Sequence, residues 1–229
     1  MFPYLPSPPK LVFEDKEKNL GVFEIEGLYR GYGITLGNAL RRVLLSSLEG
    51  AAITKVKIKD VPHEFSTIEG VMEDVVEILL NLKKIRLKLL SEGPETLKLK
   101  ASGVKEVKAK DIEKNPNVKI VNPDQIIAHL TSKKAKLEME MTVEKGLGYL
   151  PIEQRKKEKV PVGTILLDAL FSPIRKVSFE VEEMRVGERT DFNRLKIAIE
   201  TDGTITPKEA LQKAAQILVE HFQILAKEK

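Results

Sequence analysis

Residues 30–48 of the chain read Arg-Gly-Tyr-Gly-Ile-Thr-Leu-Gly-Asn-Ala-Leu-Arg-Arg-Val-Leu-Leu-Ser-Ser-Leu. The glycines indicate a turn, and the apolar periodicity that follows predicts a helix over 36–48, with Thr35 as N-cap and Gly50 at its end. At about 100° per residue, one face of this helix comprises Leu36, Ala39, Leu40, Val43, Leu44 and Ser47. Leu45 points to the opposite side, between Arg41 and Arg42.

The outward leucine has two possible explanations. Much of any protein surface is apolar, so Leu45 can be an ordinary exposed residue. An apolar residue flanked by arginines, however, has the composition of an anchor between proteins. The residues alone leave both interpretations open.

Composition predicts a globular protein of one large or two small domains, because 42% of the 229 residues are hydrophobic and 31% are charged. The net charge is only +4 and aromatic residues make up 5%, which disfavours a dedicated nucleic-acid-binding module. The absence of cysteine excludes disulfides, thiolate metal sites and a cysteine nucleophile. The proline-rich start over 1–10 suggests an extended arm rather than a signal peptide, and no apolar run approaches about 18 residues. We therefore expect a cytoplasmic protein without a membrane segment.

The middle of the chain is predicted to be mostly β-structure. Ser66 and Glu69 have the spacing of a capping box, which predicts a helix over 66–82. The segment 153–159 is rich in charge and is expected to be a solvated loop. Alternating apolar residues predict strands over 20–28, 53–58, 97–101, 104–109, 118–121, 126–130 and 137–143.

The end of the chain predicts a strand hairpin followed by a long helix. Apolar residues alternate over 177–181 and again over 195–199, and the capping box of Thr206 and Glu209, with Pro207 between them, begins a helix over 207–226. Two neighbouring apolar seams cover nearly half of this helix, more than one domain usually needs. The wide apolar surface has two possible explanations, which are self-association of the helix and deep burial of the helix in its own domain. The seams are Leu211, Ala215, Leu218, Phe222 and Leu225, and Ala210, Ala214, Ile217, His221 and Ile224.

No convincing active site is visible in the sequence, and we expect neither a metal nor a cofactor. The glycines of 31–37 suggest turn flexibility better than a nucleotide loop, since no acidic residue follows at about 20 positions. His63, His129 and His221 lack metal-ligand spacing, and His221 is expected to be a packing residue. The pairs Glu138/Glu140 and Glu180/Glu182 alternate with apolar residues, as on the wet face of a sheet. A nucleotide-binding enzyme and a direct nucleic-acid module stay as alternatives.

Several long motifs resemble those of the α-subunit family of bacterial DNA-directed RNA polymerase. The longest is the stretch over 30–47 already quoted. The others are His63-Glu-Phe-Ser-Thr-Ile-Glu-Gly-Val71, Glu73-Asp-Val-Val-Glu-Ile-Leu-Leu-Asn-Leu-Lys83, Lys145-Gly-Leu-Gly-Tyr-Leu-Pro151, Phe171-Ser-Pro-Ile-Arg175, Arg189-Thr-Asp191 and Thr201-Asp-Gly-Thr-Ile-Thr-Pro-Lys-Glu-Ala210.

The resemblance implies an α+β fold with two domains. A discontinuous dimerisation domain, an antiparallel sheet packed on two long helices, would comprise 1–49 and 172–229. A mostly β insert domain would comprise 50–171. Family members continue into a carboxy-terminal DNA-binding domain, so direct DNA binding is not expected of this chain.

The resemblance also implies a non-catalytic homodimeric scaffold that assembles the β and β′ subunits, with ω and sigma in the holoenzyme. It implies contact with β by Arg41, Arg42, Leu45, His63, Glu64 and Ser66. It implies contact with β′ by Lys83, Arg175, Arg185 and Arg189. The expected dimer interface comprises Leu36, Leu40, Leu211, Ala215, Leu218, Phe222 and Leu225. The chain departs from the family at Asn193 and Arg194, where Asp and Lys are common.

Overall fold

A computed structural model describes residues 6–155 and 161–226. The chain folds as two compact units of mixed α and β structure with mostly antiparallel sheets. The discontinuous unit comprises the residues up to Leu48 and those from Ser172 onward, and the continuous unit comprises Glu49–Phe171. Within the described residues, no helix is both long enough and apolar enough to cross a membrane.

Strands outnumber helices along the described chain. The helices are α1 (Tyr32–Ser46), α2 (Val75–Leu82), α3 (Ile152–Arg155) and α4 (Pro207–Ala226), with a short 3-10 turn at Ala109–Asp111. The strands are β1 (Lys10–Asp15), β2 (Leu20–Leu28), β3 (Glu49–Ile58), β4 (Leu87–Leu89), β5 (Glu95–Ser102), β6 (Lys105–Lys108), β7 (Val118–Ile120), β8 (Ile126–Leu130), β9 (Lys136–Leu147), β10 (Tyr149–Leu150), β11 (Thr164–Leu166), β12 (Ala169–Leu170), β13 (Ile174–Val186) and β14 (Arg189–Thr201).

The discontinuous unit has an antiparallel sheet of order β1-β2-β14-β13. The predictions of a strand over 20–28 and of the later hairpin are confirmed, because alternation places Leu195, Ile197 and Ile199 fully inside. The helix over 207–226 is also confirmed. Its capping box is formed, since Glu209 N–H donates to Thr206 Oγ1 and Thr206 N–H donates to the Glu209 carboxylate.

Helix α1 packs very closely on β13. Two of its glycines, Gly33 and Gly37, are buried inside the helix rather than placed in a flexible turn, which corrects the expectation for 31–37. A Cβ at Gly37 would lie 2.6 Å from Cδ2 of Phe179, and one at Gly33 would lie 2.6 Å from Cγ1 of Val181. Close approach of backbone to sheet therefore explains both glycines.

The predicted ends of α1 are wrong. The helix begins at Tyr32, after Gly31 in a left-handed conformation with φ of 86°, and Thr35 is inside the first turn, where its hydroxyl donates to Gly31 O. Asn193 of β14 supplies the cap, because its Oδ1 accepts the N–H of Gly31 at 2.9 Å and of Gly33 at 3.4 Å. The helix ends at Ser46, and residue 50 is already in β3.

The continuous unit contains a sheet of order β5-β9-β3-β4-β7, with β11 also pairing β3, and a separate β6-β8 pair. The predicted strands of this region are confirmed, with end shifts of a few residues. Glu138 pairs with Lys59 at 3.3 Å and Glu140 with Lys98 at 3.3 Å on the solvent side, as their spacing predicted.

The helix predicted over 66–82 is wrong in its first half. Helix α2 begins only at Val75, where the Asp74 carboxylate accepts Glu77 N–H at 2.7 Å. The preceding backbone is bound to β8 instead. Val71 forms a bridge with Leu130, and Met72 N–H donates to His129 O at 2.9 Å.

Where the structure describes the predicted solvated loop over 153–159, Glu153 and Gln154 are exposed as predicted, but the segment is a helix rather than a loop and Arg155 is buried. Residues 152–155 form α3, and Arg155 is only 4% exposed. Its Nη2 lies 2.8 Å from the Glu144 carboxylate, which explains how a charged group is buried. Residues 156–160 lie outside the described residues, as do 1–5 of the expected amino-terminal arm.

Candidate functional site

The outer face of α1 presents Arg41, Arg42 and Leu45 to solvent. Leu44, next in sequence, is fully buried, whereas Leu45 is 37% exposed. The buried glycines and leucines press the opposite side of α1 onto the sheet, so the helix orientation is fixed. Arg41 is held near the sheet because its Nε donates to Val177 O at 3.4 Å. The outcome is an exposed apolar side chain between two cations on a rigid element.

The remaining residues expected to contact β lie in the other unit. His63 and Glu64 are exposed and Ser66 is half-buried, all in the segment before α2. The Ser66 hydroxyl and His63 Nδ1 are 3.2 Å apart. Phe65, which the sequence reasoning did not select, is 79% exposed beside them. The expected β surface is thus divided between the discontinuous and the continuous unit.

His129 of β8 is hydrogen-bonded to Glu73, which lies in the segment before α2. Its ring Nδ1 and its backbone N–H contact the two carboxylate oxygens of Glu73, and its Nε2 lies 3.5 Å from Glu106. The hydrogen bond with Glu73 raises the pKa of His129 above its usual value of 6.5. Burial raises the pKa of Glu73, but the hydrogen bonds from His129 outweigh this and leave it below its usual value of 4.5. Nothing in the sequence pattern pointed to this pair.

Lys83, expected to contact β′, is already ion-paired within its unit. Its Nζ lies 2.6 Å from the Asp168 carboxylate, which also accepts the Tyr149 hydroxyl at 3.0 Å. The hydrogen bond to Asp168 raises the pKa of Tyr149. A partner would therefore meet a paired lysine rather than a free cation.

The three arginines expected to contact β′ belong to the β13–β14 hairpin of the discontinuous unit. Arg185 and Arg189 flank its turn. Arg185 Nε donates to Gly187 O at 2.8 Å, and Arg189 forms two hydrogen bonds with Asp191. Arg175 is exposed near the other end of β13, ten residues and about 33 Å from Arg185 along the strand. The structure does not bring all three together.

Helix α4 is buried only in its first half. Leu211 is 5% exposed, but Phe222 is 61% and Leu225 is 80% exposed. His221, expected to be a packing residue, is exposed, and its Nδ1 lies 2.8 Å from Ile217 O within the same helix. The apolar seams thus continue past the point where the unit covers them.

The residues expected at a dimer interface therefore differ in exposure. Leu40 and Leu211 are buried inside their own unit and have little surface left to bury. Leu36 and Leu218 are half-buried, and Ala215 is exposed. The residues with surface to bury form a distal apolar face on α4, which comprises Ala215, Leu218, Val219, Phe222 and Leu225.

No group of three or more potential metal ligands occurs within residues 6–155 and 161–226. The glycine stretch over 31–37 is a packing element and the Asn193-capped start of α1. The candidate sites on the described residues are therefore the outer face of α1, the segment over 63–66, the hairpin arginines and the distal apolar face of α4.

A family model described as "RNA polymerase Rpb3/RpoA insert domain" matches residues 56–172. The chain is 50% identical over 216 residues to the DNA-directed RNA polymerase subunit alpha of Carboxydothermus hydrogenoformans, covering 94% of this chain and 69% of that protein. It is 53% identical over 218 residues to the subunit of the same name from Roseiflexus castenholzii, covering 95% and 67%. The Moorella thermoacetica subunit is 50% identical over 216 residues, covering 94% and 69%.

Proposed function

Because this chain belongs to the family of DNA-directed RNA polymerase α subunits, we propose that it is a homodimeric scaffold on which the β and β′ subunits assemble. In this proposal the assembled complex carries out transcription, and its other subunits catalyse phosphodiester synthesis. The proposal includes no cofactor and no direct DNA contact by this chain.

The observation that carries the proposal is the distal apolar face of α4. Phe222 and Leu225 are 61% and 80% exposed on the same side of a well-formed helix. Burial of apolar surface contributes about 25 cal/mol of stabilisation per Å². Contact of this face with another protein surface would therefore be favourable. A twofold contact brings the same face of a second copy onto it. This supports pairing of two chains through α4.

The discontinuous unit is proposed as the dimerisation domain. In support, its antiparallel sheet, α1 and α4 contribute residues to one apolar cluster, which includes Leu44, Ile197 and Leu211. A rigid base of this kind would hold α4 at a fixed angle. It would also hold the outer face of α1 at a fixed distance from the pairing helix.

The outer face of α1 is proposed as the β-docking surface. Arg41 and Arg42 flank Leu45, and arginine is enriched at energetic hot spots of protein interfaces. His63, Glu64 and Ser66 of the continuous unit are proposed as further contacts to β. For β′ we propose the hairpin arginines Arg175, Arg185 and Arg189, with Lys83 acting as a member of its ion pair with Asp168.

Sedimentation equilibrium of the chain tests the pairing at micromolar concentration. The unaltered chain should sediment as a dimer, and Phe222→Glu should give a folded monomer, because a charge would enter the centre of the contact. Gln212→Glu is the matched control, since it adds the same charge to an exposed polar position of α4. A stable monomer of the unaltered chain would contradict the proposal.

A further inference from the structure

A groove of about 600 Å³ is lined by both edge strands of the large sheet in the continuous unit. It lies between β7, the last strand in the sheet order, and β5 at the other end of that order. Leu97 of β5 and Val118 and Ile120 of β7 line it. Ile112, Pro116 and Pro123 form much of the remaining wall. The groove is therefore apolar and bordered by a strand edge.

At the outer edge of β7, Ile120 offers backbone hydrogen-bonding groups to this groove, whereas the N–H of Val118 already donates to Asn115 O at 3.2 Å. Leu90 N–H donates to Asn117 O at 2.8 Å, and Val121 N–H donates to Arg86 O at 2.9 Å, so alternate residues point at β4. By the same alternation, the N–H and C=O of Ile120 face away from β4. A strand added on that side would continue the ladder.

The mouth of the groove is rigid. Glu95, the first residue of β5, accepts hydrogen bonds from the side chains of Asn115 at 3.1 Å and Asn117 at 2.8 Å. Leu99 forms a bridge with Ile112, and Glu113 N–H donates to Lys98 O at 2.8 Å. These contacts fix the segment before β7 against β5, so the groove is preformed rather than opened by its occupant.

Positive charge surrounds the groove. Lys110, Lys114 and Lys119 border it, and the register of the strands places Lys88 of β4 directly opposite Lys119 of β7. Like charges in register are unfavourable. Within the described chain Lys110 pairs with Asp124, whereas Lys88, Lys114 and Lys119 make no ion pair with a described residue. Glu113, which lines the groove, pairs with Lys100, and the Glu95 carboxylate at its mouth accepts hydrogen bonds from Asn115 and Asn117.

We propose that this groove binds an extended acidic segment of a partner polypeptide, which adds to the edge of β7 as a further strand. In a strand, successive side chains alternate between two faces. Apolar residues of the segment would enter the groove, and the intervening carboxylates would meet Lys114, Lys119 and Lys88. Ile120 favours a polypeptide over a small amphiphile such as a fatty acid. A peptide backbone can pair with both the N–H and the C=O of Ile120, whereas a carboxylate cannot donate to that C=O.

The site lies in the continuous unit and uses neither α4 nor the outer face of α1. Its failure would leave the proposed scaffold function untouched. Loss of dimerisation in the Phe222→Glu variant should, conversely, leave binding in the groove unchanged.

A fluorescein-labelled peptide of five Glu-Val repeats is the probe, and its anisotropy is titrated with the full chain. We expect saturable binding that weakens with salt, and about tenfold or greater loss in the double variant Lys114→Glu/Lys119→Glu. The matched control is Lys133→Glu/Lys136→Glu, which changes two exposed lysines that do not line the groove. Hydrogen exchange should slow at the amides of β7 when the peptide is bound.

A peptide of five Lys-Val repeats tests the charge directly. It should bind weakly to the unaltered chain and gain affinity for the Lys114→Glu/Lys119→Glu variant, which also shows that this variant is folded. The proposal is overturned if the acidic peptide does not bind, or if it binds both double variants equally. It is also overturned if decanoate binds the groove while the peptide fails to compete with it.

Discussion

Asn193 of β14 accepts the backbone N–H of Gly31 at 2.9 Å, and thereby caps the helix that carries Arg42 and Leu45. Gly31 has no side chain of its own to do this, and Asn193 is only 7% exposed. A strand from the far part of the sequence thus completes the first turn of α1.

Replacement of Asn193 by Ala should lower the free energy of unfolding of the discontinuous unit by about 1–2 kcal/mol, because two N–H groups lose their acceptor. Urea unfolding measures this. Asn38→Ala is the control, as Asn38 is an exposed residue of the same helix and should lose nothing. Asn193→Asp keeps the acceptor and should stay close to the unaltered protein. Equal losses from the two alanine variants would refute the capping role.

Gly37→Ala should destabilise the same unit by about 1–3 kcal/mol, although alanine is intrinsically the better helix former. The added Cβ would lie 2.6 Å from Cδ2 of Phe179, so the ring or the helix must move. Replacing the ring by a smaller side chain in Phe179→Leu should recover part of this loss of stability. A double-mutant cycle measures the coupling between positions 37 and 179. A more stable Gly37→Ala protein would show that α1 has room to shift.

The pair of His129 and Glu73 should make stability depend on pH. The pKa of His129 is raised, so its contribution is present below its usual 6.5 and is lost as pH rises through the raised value. The pKa of Glu73 is lowered, so its contribution is present above its usual 4.5 and is lost as pH falls through the lowered value. Both contributions are present near about pH 5.5.

His129→Gln should therefore cost more stability at about pH 5.5 than at about pH 8.5. The difference should be below about 1 kcal/mol, because the His129 side chain is 40% exposed. Thermal unfolding at the two pH values measures it. In a Glu73→Gln background the same substitution should lose its pH dependence. If the dependence persists there, Glu73 is not the partner responsible.

Leu45→Ala and Arg42→Ala should each weaken capture of purified β subunit by about tenfold or more, if the outer face of α1 is the anchor. Neither should change the free energy of unfolding by more than about 1 kcal/mol, because both side chains are exposed. Leu80→Ala, which truncates an exposed leucine of another helix, α2, is the matched control. Normal capture by both variants would remove α1 from the proposed β surface.

Two capping boxes of identical spacing show where local sequence predicts structure and where it does not. At Thr206 and Glu209 the reciprocal hydrogen bonds form, and the helix begins as predicted. At Ser66 and Glu69 they do not, because Met72 and Val71 are bound to β8, and Asp74 caps the helix later. Pairing with a distant strand outweighed a local preference.

The candidate surfaces also differ in how far local sequence predicts them. The exposure of Leu45 was predictable from helical periodicity, since it depends only on residues within one turn. The exposure of Phe222 and Leu225 was not predictable, because the sequence shows an apolar seam but does not show how far the rest of the domain packs against it. The roles of Asn193 and His129 were not predictable, since each residue binds a backbone group or a carboxylate that is far away in the chain.

The order of the sheet β1-β2-β14-β13 has a consequence for biosynthesis. As the chain leaves the ribosome, β2 emerges early, yet its partner β14 follows only after the whole of Glu49–Phe171. At about 5–20 residues per second, the nascent β2 stays without that neighbour for roughly 10–30 s. The continuous unit can fold in that interval, and the discontinuous unit closes last.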